Sequence, residues 1–110
     1  MKKDIKKKWI DALRSGKFKQ GSGELCNMES NKYCCLGVLC EITRQDNPHI
    51  KRTKEGHYSL HKKDSVDGQL DDAMLTYFGI DDEIQNELID MNDDRDKSFK
   101  QIADYIKENL

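Results

Sequence analysis

Tyr33-Cys34-Cys35-Leu36-Gly37-Val38-Leu39-Cys40-Glu41-Ile42 is almost wholly apolar in a chain that is 36% charged, and Glu41 is its single ionised side chain. Such a run is the candidate for the innermost element, with amphipathic segments packed around it. So short a run does not separate helix from strand by periodicity: Tyr33, Val38 and Ile42 favour a strand, Leu36 and Leu39 a helix. The helical reading places Leu36, Leu39 and Cys40 on one face at i, i+3 and i+4. It gives Asn31 the N-cap position and puts Gly37 where another backbone crosses. A central helix over 33–42 is therefore expected.

Upstream, Ile5, Trp9, Ala12 and Leu13 repeat on one face of a first helix over 4–15, with Gly16 at its C′ position. Trp9 reads as a core anchor. Lys17-Phe18-Lys19-Gln20-Gly21-Ser22-Gly23 follows, and an ordinary turn or a short strand accounts for it. The sharper alternative is an anion nest, in which the amides of Gly21 to Gly23 accept a phosphate beside Lys17 and Lys19.

Downstream, the chain breaks at Pro48, its only proline. Residues 49–62 read as two short strands around Lys54-Glu55-Gly56, with His57 and His61 on the face opposite Tyr58 and Leu60, toward solvent. A loop over 64–68 leads to a helix over 69–78 ended by Gly79. Asp81 caps another over 82–91, carrying Ile84, Leu88 and Met91. Ser98 and Gln101 form a capping box for a last helix carrying Phe99, Ile102, Ala103, Ile106 and Leu110 on one face.

Charge is segregated. Residues 1–20 carry eight Lys and Arg against two Asp, and residues 81–97 carry eight Asp and Glu against two basic residues. Two solvated faces, or two ends that attract within or between subunits, explain this; a basic patch for an anionic ligand is the alternative. A net charge of −2 argues against duplex nucleic acid as partner. The turn over 90–98 has calcium-loop spacing in Asp90, Asn92, Asp94, Asp96 and Ser98, but Arg95 stands where the loop needs Gly and Gln101 where it needs Glu. The turn reads as a solvated capping loop, and its acidity excludes a helix-turn-helix contact with phosphate.

No apolar h-region follows the basic N-terminus and no stretch is long enough to span a membrane. Cys26, Cys34, Cys35 and Cys40 have neither a C-x-x-C nor a secreted disulfide spacing, so a reduced cytoplasmic chain is expected. No metal site and no cofactor are expected: two histidines and a distant cysteine are no zinc signature. A thiol or metal enzyme using Cys34 or Cys35 with His57 or His61 is the third functional reading, weakened because thiols in apolar runs are inert. Recognised hydrolase and phosphate-loop motifs are absent.

Trp9 to Gly16, Gln20-Gly21-Ser22-Gly23-Glu24-Leu25, Tyr33 to Cys40, Met91-Asn92-Asp93 and Ser98 to Ile106 together resemble a family of small bacteriophage and bacterial proteins. Residues 44–68 match that pattern poorly. The resemblance implies a phage-type origin, in the host cytoplasm, and a protein that acts by binding.

These readings converge on a single α+β domain over 1–110, with a central apolar helix, amphipathic helices around it and a short β-hairpin. The first functional expectation is a noncatalytic, homo-oligomeric accessory protein that sequesters an anionic small molecule, such as a cyclic or signalling nucleotide, to counter host defence. Lys17, Lys19, Gln20, Gly21, Ser22 and Gly23 would hold the phosphates and Tyr33 would stack a base. The second is an inhibitor or adaptor that engages a host protein through Asp90, Asp93 and Asp94.

Overall fold

The computed structural model describes residues 1–60 and 69–110. The apolar run is helical, but it starts later than expected and runs further. Lys32 and Tyr33 form a two-residue strand, Cys34 is the N-cap, and the central helix spans Cys35–Asp46. Asn31 does not cap it. It lies in the left-handed region at φ 56°, while the Cys34 Sγ accepts from the Gly37 amide at 3.4 Å. The helix passes Ile42 because Thr43 and Arg44 bond within it, Thr43 to the Leu39 carbonyl and Arg44 to Glu41. It stops at Asn47, before Pro48.

In chain order the elements are α1 (Lys3–Arg14), β1 (Lys19–Gln20), β2 (Cys26–Asn27), β3 (Lys32–Tyr33), α2 (Cys35–Asp46), β4 (Ile50–Arg52), β5 (Tyr58–Leu60), α3 (Asp72–Phe78), α4 (Asp82–Asp93) and α5 (Phe99–Asn109). They form one α+β domain, with a three-stranded sheet in the order β1-β3-β2 and the hairpin β4-β5. The expected strands over 49–62 are that hairpin, in the register Ile50↔Leu60 and Arg52↔Tyr58. His61, Lys62 and the expected loop over 64–68 lie outside the described residues.

α2 is the hub. Residues Cys35 to Glu41 and Thr43 are buried, and α1, α4, β3 and β4 pack on it. Trp9, Leu25, Leu36, Leu39, Met74, Phe78, Leu88, Ile102 and Ile106 fill the core around it. Trp9 is fully buried and its Nε1 donates to the Cys35 carbonyl at 2.9 Å, which ties α1 to the first turn of α2. Gly37 sits where the backbone of Leu25 crosses the helix. A Cβ there would lie 1.7 Å from the Leu25 carbonyl oxygen, so no side chain fits and the expected crossing is real.

The capping chemistry follows the sequence closely. Asp81 and Ser98 cap α4 and α5, Gly79 ends α3 in the left-handed conformation, and Ser98 and Gln101 make a full capping box; α3 itself starts at Asp72 and not at 69, because the Asp71 side chain caps it. A further expectation is corrected. The face of β5 opposite Tyr58 and Leu60 is not open to solvent, since Ser59 is as buried as its neighbours. α2 packs on β4 and α3 on β5, which encloses the hairpin. The basic N-terminal segment finds partners outside the acidic run, with Lys8 reaching Asp46 at 3.2 Å and Arg14 reaching Asp104 at 2.7 Å.

Candidate functional site

Three segments far apart in sequence meet at Asn92, a buried side chain near the end of α4. Its Nδ2 donates to the Gly21 carbonyl and to Asp93 Oδ1, both at 2.8 Å. Its Oδ1 accepts from Gln20 Nε2 at 3.0 Å and from the Cys35 amide at 3.2 Å. Gln20 Nε2 also donates to the Lys97 carbonyl at 2.7 Å. Each donor of the two carboxamides is thereby engaged, and the glycine loop, the start of α2 and the turn after α4 are held as one unit.

Above this network lies a cleft of about 550 Å³. Gln20, Gly21 and Ser22 form one wall, Asn27, Ser30 and Lys32 from the β2–β3 turn a second, and Asn92, Asp96 and Lys97 the third. Gly21 is required by a close approach, because a Cβ there would stand 2.8 Å from that of Lys32. Asn27 shapes its turn by accepting from the Glu29 and Ser30 amides, each at 3.0 Å. Asn31 and Asp96 are the non-glycine residues with left-handed φ among the described residues, at 56° and 50°. Asn31 sits between two lining residues and Asp96 is itself in the wall, so local backbone strain gathers at this rim.

Of the residues expected to bind a ligand, Gln20, Gly21 and Ser22 line the cleft, whereas Lys17, Lys19, Gly23 and Tyr33 are not among its lining residues. The Gly21 amide donates to the Tyr33 carbonyl at 2.8 Å, so it is spent in the sheet. The Tyr33 ring packs edge-on against Phe18, with centroids 5.2 Å apart. The cations in the lining are Lys32 and Lys97, which sequence reasoning passed over. Lys32 carried a usable signal, since it alternates with Tyr33 on a strand and faces the other way. Lys97 carried none, being set in an acidic run. That run is also more than a solvated loop, because its Asn92 is buried and its Asp96 and Lys97 build a wall.

A second polar cluster lies away from the cleft. Glu41, with a side chain 8% exposed, accepts from Tyr58 Oη at 2.7 Å, Arg52 Nη1 at 2.9 Å and Arg44 Nη2 at 2.6 Å. Burial pushes its carboxyl upward, but Arg44, Tyr58 and Arg52 outweigh that and hold it below its ordinary range. Burial and the Glu41 hydrogen bond drive Tyr58 far up. The four thiols are buried and free. Burial raises Cys34 to about 12 and lifts Cys35 and Cys40 well above a normal thiol.

The family model of a domain of unknown function, DUF8296, matches residues 1–110. The chain belongs to the DUF8296 family. No curated protein and no solved structure matches it. Within this DUF8296 domain, no group of three or more His, Cys, Asp or Glu that could hold a metal occurs among the described residues. No helix among them is long and apolar enough to cross a membrane.

Proposed function

We propose that this DUF8296 protein is a noncatalytic binding protein that holds a small anionic molecule in the cleft above Asn92. One observation carries the reading: a hydrogen-bonded unit assembled from three distant segments presents Lys32 and Lys97 into a concave, polar space. Among the described residues neither lysine pairs with a carboxylate, whereas Arg44, Arg52 and Arg95 all do. Their charge is therefore available to a ligand. The concavity of the Gln20–Ser22 wall supports the expected role of that loop. The raised thiols support the absence of nucleophilic catalysis, because the thiolate is the reactive form.

In its finer form the protein is a phage-type accessory factor, homo-oligomeric in the host cytoplasm, that sequesters a signalling nucleotide or related anion. Blocking a host protein through the acidic segment draws less support, since Glu87 and Asp90 are already paired with Arg95 and Asp93 with Asn92. Native mass spectrometry and titration calorimetry with inorganic phosphate, sugar phosphates, and linear and cyclic nucleotides test the proposal. Binding at a defined stoichiometry that disappears in Lys32→Ala/Lys97→Ala supports it. Silence across the panel refutes it.

A further inference from the structure

We infer that the ligand of this cleft is a hydroxyl-rich anion of the sugar-phosphate class, recognised through its phosphate and its hydroxyls and not through an aromatic base. The inference rests on the anion-binding reading above and narrows it.

Among the described residues the lining contains no aromatic or large aliphatic side chain. Recognition of a nucleobase without a dedicated set of base hydrogen bonds relies on stacking against such a surface, and Tyr33, next to the lining Lys32, has its ring against Phe18. What the walls offer instead is opposite charge at close quarters. Lys32 and Lys97 can take a phosphate as point charges. Asp96 is in the same wall and makes no hydrogen bond or ion pair with a described residue. Gln20 donates twice through Nε2, while its Oε1 accepts from no described residue. An ionised carboxylate and a carboxamide oxygen are acceptors only, so the ligand groups they would engage are donors.

A polyphosphate satisfies the lysines but sets its own charge against Asp96. A neutral sugar satisfies Asp96 and leaves the lysines without a partner. A molecule with a phosphate at one end and hydroxyls along its length satisfies both, and the volume of about 550 Å³ falls within the span of small-molecule sites.

The test uses the full chain with ribose 5-phosphate, inorganic phosphate, ribose and adenosine monophosphate as probes in calorimetry. Ribose 5-phosphate is expected to bind at least about tenfold more tightly than either phosphate or ribose, and within about threefold of the nucleotide. Asp96→Asn suits the check because asparagine tolerates the left-handed φ at that position, and chemical-shift spectra confirm its fold. It should weaken ribose 5-phosphate by about tenfold and leave inorganic phosphate unchanged or tighter. Nucleotide binding with ribose 5-phosphate silent, or an Asp96→Asn variant that weakens both probes equally, overturns the inference and leaves anion binding standing. Silence from all four probes and from the wider nucleotide panel overturns both.

Discussion

The two polar clusters of this domain are built from the same parts and behave as opposites. Each sets one carboxylate beside two cationic side chains: Glu41 with Arg44 and Arg52, and Asp96 with Lys32 and Lys97. Around Glu41 the charges have closed on one another in hydrogen bonds of 2.6–2.9 Å under a cover of apolar side chains. Around Asp96 no ion pair among the described residues joins them, and they line an open polar cleft. Arginine's planar fork suits the first arrangement and lysine's mobile ammonium the second. The difference teaches that charge composition does not define a site. What counts is whether the charges have already satisfied each other, because a closed cluster contributes to stability and an open one is left to bind.

The comparison is broken most completely at Gly37. Gly37→Ala drives a methyl into the Leu25 backbone, which cannot withdraw without moving β2 off the central helix. Both clusters should be lost with the fold, at a cost of more than about 3 kcal/mol, seen as loss of a cooperative thermal transition by circular dichroism.

Removing one partner of the closed cluster should come next. Glu41→Ala strands the buried Tyr58 hydroxyl and leaves the partly exposed Arg52 and Arg44 without their carboxylate, and should cost about 2–3 kcal/mol in urea denaturation, with cleft binding retained. The same carboxyl has a folded pKa below its ordinary value of 4.5. Its contribution is therefore fully present above that value and is lost as pH falls through the lower, folded value. Wild-type stability should fall across that acid window, and the Glu41→Ala chain should lack this part of the dependence.

Asn92 joins stability to the site, so it sharpens the contrast from the middle. Asn92→Ala strands the buried Cys35 amide and releases the glycine loop. A loss of about 2 kcal/mol is expected together with a large loss of ligand affinity. The smallest effect on stability belongs to the open cluster. Lys32→Ala/Lys97→Ala should leave the urea midpoint within about 0.5 kcal/mol of wild type while abolishing anion binding. A marked destabilisation by this pair would show that the cleft is a closed cluster after all.

Much of the fold was legible because its signals are local. The stripe of Ile5, Trp9, Ala12 and Leu13, the Asp81 cap and the Ser98–Gln101 box act over a few residues, and each forms as read. The close approach at Gly37 was also legible, since glycine inside an apolar helix asks for a neighbour. The start of α2 was not, because Lys32 and Tyr33 are claimed by strand partners that local spacing cannot reveal. The cleft was legible only on its glycine wall. Lys97 and Asn92 sit in an acidic run whose neighbours suggest solvent, and their roles come from bonds to Gln20, Gly21 and Cys35 that span more than 50 positions. The Glu41 cluster was half visible: one charge in an apolar run needs partners, but Arg52 and Tyr58 come from a hairpin the run does not contain.

The bonds of Asn92 also set an order of events during synthesis. Gln20, Gly21 and Cys35 leave the ribosome first, and at roughly 5–20 residues per second several seconds can pass before Asn92 follows them. A nascent chain can build its N-terminal helix and begin to bury the apolar run in that interval, yet it has nothing with which to shape the glycine loop. On the binding proposed above, ligand competence would arrive in one late step, when the closing of a long loop brings α4 home, and a partly made chain would have no site with which to compete for a ligand.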